Sequence, residues 1–149
     1  MSLSPLDRLL GKTFEQPELT GINRVPMRAT QYSFPSAADA LSQPREASPW
    51  WSSLDGSWRF LYRESPQDLP EDVVTQSTDG ADWADIPVPG MWCFHGYSYP
   101  HYTNLKMPFR EEPPFSPERN PTGVYARTFE VDPSWKGRRV VLHFGGVEG

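Results

Sequence analysis

The chain has 149 residues, of which 37% are hydrophobic and 22% are charged, a composition typical of a folded chain with one core. Its net charge of -5 at pH 7 argues against a basic surface for nucleic acid or anionic lipid. No apolar run reaches the roughly 20 residues that span a bilayer, and the single cysteine, Cys93, cannot form an internal disulfide. We therefore expect a cytoplasmic protein with no nucleic-acid and no membrane partner.

The first fifty residues are predicted to form an extended arm rather than a domain. Five prolines follow one another at near-regular intervals between Pro17 and Pro49, and each one biases the preceding residue away from helix. A short helix is predicted only over 36–41, with Ser36 as its N-cap. Because this segment has no core of its own, it either packs along another surface or stays partly disordered.

The residues after position 54 are predicted to form β strands joined by long irregular loops. Alternating rings and polar residues favour a first strand over 57–63, with Trp58, Phe60 and Tyr62 on one face. Further strands are predicted over 83–88, 123–131 and 138–144, the last two as an antiparallel pair. The predicted fold class is therefore all-β. Because four strands are too few to close two sheets, we expect a β-sandwich that is incomplete at its C-terminus.

The segment from 90 to 125 has neither helical nor strand periodicity and is dense in rings, prolines and amides. Flat rings can cover the apolar faces of sugars, but they more often pack a loop onto its domain, and for each single ring we prefer packing. Asn104 differs, because its amide offers donors and an acceptor that suit a vicinal diol or, alternatively, a turn. The rings are Trp92, Phe94, Tyr97, Tyr99, Tyr102, Phe109 and Phe115.

A metal site in this segment is not expected. Cys93, His95 and His101 lie within nine residues of one another, but structural zinc requires four ligands in two clusters, and the sequence has no second cluster. We expect His95 to order the loop through hydrogen bonds instead.

The acidic residues do not form an obvious catalytic pair. Neighbours such as Glu111 and Glu112 point apart in an extended chain, whereas glycoside hydrolysis needs two carboxylates that face one bond. We therefore interpret the acids as a solvated surface and expect no catalytic residue in this chain. The other candidates are Asp55, Glu64, Asp82, Asp85 and Glu118.

Four motifs between residues 54 and 125 carry a family resemblance. They are Leu54-Asp55-Gly56-Ser57-Trp58-Arg59-Phe60, Val88-Pro89-Gly90-Met91-Trp92 with His95-Gly96-Tyr97, Tyr102-Thr103-Asn104, and Asn120-Pro121-Thr122-Gly123 with Tyr125. In order and spacing they resemble the N-terminal sugar-binding domain of LacZ-type β-galactosidases in glycoside hydrolase family 2.

The resemblance implies a domain division and a set of site residues. Residues 1–50 would form the N-terminal arm, and residues 51–149 a galactose-binding-like jelly roll that is incomplete at its C-terminus. Asn104 would be the substrate-binding residue, bonding the galactosyl ring. The residues that support its loop would be Trp92, His95, Tyr102, Asn120 and Tyr125.

The resemblance also implies a larger parent enzyme. Such a parent is a retaining β-galactosidase that hydrolyses terminal β-D-galactosyl residues of lactose-type substrates. Its TIM barrel carries both catalytic glutamates together with the ligands of Mg and Na ions. This chain would contribute part of the pocket wall and contacts between subunits of a homo-oligomer. It would bind no cofactor itself.

Two other functions fit the same residues. The family's acid/base glutamate follows an asparagine, and the three asparagines of this chain precede arginine, leucine and proline, so the catalytic pair is not encoded here. A non-catalytic carbohydrate-binding module, or a structural domain of another family 2 glycosidase, therefore stays open.

Overall fold

The computed structural model describes residue 11 and residues 13–100, 112–117 and 119–147 of the chain. The chain divides into two compact units. The first comprises residues 1–27 and 55–127, and the second comprises residues 28–54 and 128–149. No described helix has the length and hydrophobicity needed to cross a bilayer.

The first unit is built on one open antiparallel sheet in the order β2-β1-β3. Its strands are β1 (Gly56–Arg63), β2 (Ala84–Val88) and β3 (Thr122–Ala126). Phe60 of β1 lies opposite Ala84 of β2 and Tyr125 of β3. Residues that lie opposite one another share a face of the sheet, so Trp58, Phe60 and Tyr62 point to one side and Arg59 and Leu61 to the other.

The central strand is buried on both faces, because Phe60 and Leu61 are each only 1% exposed. On the Leu61 face, Val73 and Trp83 complete a small core with Val124 and other half-buried side chains. Burial on both sides explains why β1 carries apolar residues at consecutive positions, whereas a strand with one solvated face alternates strictly.

Arg59 fixes the long connection between β1 and β2 to the sheet. Its Nε donates to the carbonyl oxygen of Thr78 at 2.9 Å and its Nη2 to that of Trp83 at 2.9 Å. Its Nη1 lies 3.0 Å from Oδ1 of Asp85. An irregular connection has unpaired main-chain carbonyls, and one guanidinium satisfies two of them here.

The second unit contains the predicted short helix, α1, over Ala37–Ser42. The backbone N–H of Asp39 donates to Ser36 Oγ at 3.1 Å, so the predicted N-cap is confirmed. Elsewhere in this unit, Trp135 Nε1 donates to the carbonyl oxygen of Pro49 at 2.8 Å. The Arg138 guanidinium lies 3.8 Å from the centre of the Trp50 ring, which is close enough for a cation–π contact.

The all-β prediction and the first two strands are confirmed. The third predicted strand is too long, and the fourth does not form. β3 ends at Ala126 rather than at 131, and residues 138–144 form no strand. The predicted antiparallel pair is therefore also wrong. Val140, Leu142 and Phe144 alternate as in a strand, but each is at least 45% exposed. A strand forms only when a neighbouring strand accepts its main-chain hydrogen bonds, and no described strand lies beside this segment.

Candidate functional site

The irregular segment after β2 begins with one tight turn that sets the direction of two rings. A 3-10 helix covers Trp92–His95 and ends at Gly96, which has a φ of 88°. Glycine adopts this left-handed conformation without a steric penalty. The backbone N–H of Tyr97 donates back to the carbonyl oxygen of Trp92 at 3.3 Å. The turn thereby brings Trp92 and Tyr97 to the same part of the sheet.

These two rings pack on β1 in an aromatic cluster, formed by Phe60, Tyr62, Trp92, Tyr97 and Tyr125. The ring centre of Phe60 lies 4.7 Å from that of Tyr97, 4.7 Å from that of Tyr125 and 5.9 Å from that of Trp92. The ring centre of Tyr62 lies 6.0 Å from that of Trp92 and 5.6 Å from that of Tyr97. All five separations fall within the range of favourable aromatic pairs. The cluster therefore holds the beginning of the irregular segment on the sheet.

Gly123 of β3 makes this packing possible. A Cβ atom at Gly123 would lie 2.6 Å from Phe60 Cε2 and closer still to Trp92 Cζ3. Only a residue without a side chain allows the indole to rest against the backbone of β3. Sequence reasoning did not identify this role. The available signal was a glycine as the first residue of a predicted strand, because a glycine in a strand often marks the close approach of another group.

A polar chain extends from the same face of β1. Tyr62 Oη donates to Glu64 Oε1 at 3.2 Å, and Arg119 Nε lies 2.8 Å from Glu64 Oε2. The Arg119 guanidinium also lies 5.7 Å from the centre of the Tyr99 ring. The hydrogen bond from Arg119 lowers the pKa of Glu64, so this carboxyl stays ionised at neutral pH. A general acid needs the opposite shift, a raised pKa.

The end of the irregular segment is held by Glu15, a residue near the start of the described chain. Glu15 lies in a 3-10 turn over Thr13–Glu15. Its Oε1 accepts hydrogen bonds from both the backbone N–H of Ser116 at 3.0 Å and Ser116 Oγ at 2.7 Å. Both residues are half-buried. Ser116, which precedes β3, is therefore held by a single oxygen atom, Oε1 of Glu15.

The structure places four of the predicted site residues and does not describe two. Trp92 and Tyr125 belong to the aromatic cluster, and partial burial raises the pKa of the Tyr125 phenol, so it stays neutral at physiological pH. His95 is exposed. Asn120 is half-buried and accepts a hydrogen bond from Thr122 Oγ1 at its main-chain oxygen, 3.0 Å away, at the entry to β3. The predictions for Tyr102 and Asn104 lie outside the described residues, so their roles stay predictions.

Two more acidic residues near the sheet are paired with arginines, as Glu64 is. Asp82 Oδ2 lies 2.6 Å from Arg63 Nη2, and Asp85 Oδ1 lies 3.0 Å from Arg59 Nη1. Both carboxylates are more than two-thirds exposed. Among the residues that the structure describes, no three side chains of histidine, cysteine, aspartate or glutamate come together to form a metal site. The described side chains of this surface make packing contacts, hydrogen bonds and ion pairs.

Comparison with known proteins assigns the chain from residue 51 onward. The family model for glycosyl hydrolases family 2, sugar binding domain, matches residues 51–149. The chain is 38% identical over 136 residues to a β-galactosidase of Psychromonas ingrahamii, a match that covers 91% of this chain and 13% of the relative. It is 39% identical over 140 residues to a β-galactosidase of Actinobacillus pleuropneumoniae, which covers 94% of this chain and 13% of the relative.

A third relative matches nearly the whole chain. This is β-galactosidase 2 of Enterobacter cloacae, which is 39% identical over 148 residues, or 99% of this chain and 14% of the relative. The chain thus spans 13% or 14% of the length of these three relatives. Because the family model matches all residues from 51 to 149, the chain belongs to the sugar binding domain family of glycosyl hydrolases family 2.

Proposed function

We propose that this chain is the N-terminal portion of a retaining β-galactosidase, which hydrolyses terminal β-D-galactosyl residues of lactose-type substrates. The chain supplies part of the wall of the substrate pocket and some subunit contacts of a homo-oligomer, but not the catalytic glutamates. The identity of 38% or 39% with proteins named β-galactosidases, over 91% to 99% of the chain, supports this function.

One observation supports the pocket-wall role. The residues just before and just after 101–111 are both held in place by contacts. Before them, Trp92 and Tyr97 pack on β1. After them, Ser116 is bonded to Glu15. An irregular segment between two fixed ends suits the presentation of side chains to a ligand, because a rigid scaffold positions it without burying it in a core. Asn104 lies within this segment and carries the amide proposed to bond the galactosyl ring.

The described carboxylates support the proposed division of labour. Retaining hydrolysis needs a nucleophilic carboxylate and a second carboxyl whose pKa is raised enough to donate a proton. Glu64 has a lowered pKa, and Asp82 and Asp85 are exposed partners of arginines. The remainder of the parent, a TIM barrel, would therefore provide both glutamates. Mg and Na ions would bind there as well. We place the reaction in the cytoplasm.

The isolated chain is expected to show no glycosidase turnover. Without the glutamate pair, only background hydrolysis of a chromogenic β-galactoside should occur. The measurement is a rate assay on purified 1–149, prepared from a host strain that lacks its own β-galactosidase. Turnover that co-purifies with the chain and survives a second purification by a different principle would overturn the proposed division of labour.

The binding role of Asn104 can be tested in a chimera. In this protein, called the chimera below, the present chain replaces the 148-residue matching segment of the Enterobacter cloacae relative. Asn104→Ala should lower kcat/KM for a β-galactoside by about two- to twelvefold. This ratio corresponds to the loss of one neutral hydrogen bond, which contributes about 0.5–1.5 kcal/mol. The melting temperature and the oligomeric state should stay the same, because the side chain is proposed to face a ligand rather than a core.

Asn120→Ala provides the matched control. Asn120 is half-buried at the entry to β3, where an asparagine side chain commonly hydrogen-bonds its own backbone and holds the turn. Replacing Asn120 should lower the melting temperature more clearly than it lowers kcat/KM. If Asn104→Ala lowered the melting temperature and left kcat/KM unchanged, Asn104 would be a turn residue, and the structural-domain interpretation would replace the binding role.

A further inference from the structure

Two arginine–tryptophan stacks lie in the second unit, and only one of them includes a carboxylate. The Arg45 guanidinium lies 5.3 Å from the centre of the Trp51 ring, and Arg45 Nε lies 2.6 Å from Glu46 Oε1. The Arg138 guanidinium lies closer to its ring, at 3.8 Å from the centre of Trp50. Among the residues that the structure describes, no carboxylate is within ion-pair distance of Arg138.

The Arg138 stack is part of an exposed basic surface. A guanidinium stacked on a ring keeps its in-plane N–H groups, which can bind a carboxylate through two hydrogen bonds. Lys136 and Arg139 are exposed nearby in the sequence, and within the described part of the chain neither forms an ion pair. Arginine and tryptophan are enriched among the residues that dominate protein–protein binding. The basic surface, defined as Trp50, Lys136, Arg138 and Arg139, therefore fits a protein segment rich in carboxylates.

The chain itself carries such a segment in its first unit, between β1 and β2. The sequence has no lysine or arginine from 64 to 105. Asp68, Glu71 and Asp72 are exposed there, and no described lysine or arginine forms an ion pair with them. The next residue, Val73, is only 5% exposed and packs in the core, so the acids before it are held at the surface. Asp68, Glu71 and Asp72 are called the acidic connection below.

We propose that the basic surface of one copy of the chain binds the acidic connection of a second copy. A carboxylate of the second copy then completes the Arg138 stack, as Glu46 completes the Arg45 stack within one copy. Because the two surfaces differ, the contact is head-to-tail, and each copy can bind two neighbours. The inference rests on the proposed function for its homo-oligomer, and it deepens that proposal by naming the surfaces that meet.

The first test is the self-association of the purified chain, measured by sedimentation equilibrium. At about 0.02 M NaCl the average mass should rise with protein concentration up to about 0.5 mM, a range that detects weak contacts. At about 0.5 M NaCl the rise should disappear, because salt screens exposed charges. A chain that stays monomeric in low salt overturns the proposal, and so does association that salt does not weaken.

Charge reversals on the two surfaces test which residues meet. Arg138→Glu should weaken the association at least about tenfold, because like charges would then face each other. Glu71→Lys should have a similar effect from the other surface, and it preserves the test if Arg138→Glu does not fold. Arg45→Glu is the matched control, because it changes the net charge as Arg138→Glu does but alters the stack that Glu46 already completes. It should leave the association almost unchanged.

The double variant Arg138→Glu/Glu71→Lys separates a specific contact from an effect of net charge. It has the same net charge as the unsubstituted chain, with one charge of each surface exchanged. If the two surfaces bind each other, the exchange should recover most of the association that each single variant loses. Equal weakening by Arg45→Glu and Arg138→Glu, or no recovery in the double variant, would overturn the proposal.

The outcomes distinguish this inference from the proposed function. A chimera that turns over a β-galactoside, together with a purified chain that stays monomeric, would overturn only the contact between copies. A chimera without turnover would overturn the proposed function. Salt-sensitive association that depends on Arg138 and Glu71 would then still support the contact.

Discussion

Replacing Phe60 by alanine is expected to lower the free energy of unfolding by about 3–5 kcal/mol, the usual cost of truncating a buried phenylalanine. Phe60 is 1% exposed, and its ring meets those of Trp92, Tyr97 and Tyr125. The substitution removes the shared partner of three rings, and a small sheet open at both edges has little capacity to close the cavity. The measurement is urea denaturation of the purified chain, followed by tryptophan fluorescence.

Phe94→Ala is the matched control for this substitution. Phe94 lies in the irregular segment together with Trp92 and Tyr97, but it is 78% exposed. Its truncation should change the free energy of unfolding by less than about 0.5 kcal/mol, as is usual for surface positions. Equal losses from the two variants would show that Phe60 does not form the centre of the aromatic cluster.

Gly123→Ala is expected to destabilise the chain by about 1–3 kcal/mol, the usual cost of overpacking a filled site. The added methyl group would overlap the rings of Trp92 and Phe60. Since β3 cannot move without breaking its pairing with β1, the indole must leave its place. The free energy of unfolding should fall, and the fluorescence of the folded protein should change because Trp92 moves.

Gly145→Ala tests whether Gly123→Ala lowers the free energy of unfolding because the added methyl group overlaps the rings of Trp92 and Phe60. A Cβ atom at Gly145 would meet nothing within 4 Å, and the residue has no positive φ. This substitution should be neutral or slightly stabilising, because alanine has fewer conformations in the unfolded chain. A neutral Gly123→Ala would mean that Trp92 does not rest on β3.

The features predicted correctly from the sequence are those with a local cause. The alternation in β1 and the capping hydroxyl of Ser36 each determine the structure of their own neighbourhood. The alternation of Val140, Leu142 and Phe144 is equally clear, but it does not show whether a neighbouring strand is available. The strand predicted there is wrong for that reason.

In the candidate site too, only the features with a local cause could be predicted from the sequence. The density of rings indicated a loop that packs on its domain, and Trp92 and Tyr97 do so. The bonds from Glu15 to Ser116 and from Glu64 to Arg119 join residues that are far apart in the sequence, and no local pattern predicts them. The role of Gly123 depends on which ring lies above it, which is also a non-local property.

The proposed role of this chain, as the non-catalytic N-terminal portion of a β-galactosidase, can be measured directly as turnover. The direct measurement compares the turnover of a β-galactoside by the Enterobacter cloacae relative, by that enzyme without its 148-residue matching segment, and by the chimera. We expect the deletion to abolish turnover and the chimera to restore it. A chimera that melts and assembles like the host, yet turns over no more substrate than the deletion variant, would contradict the account.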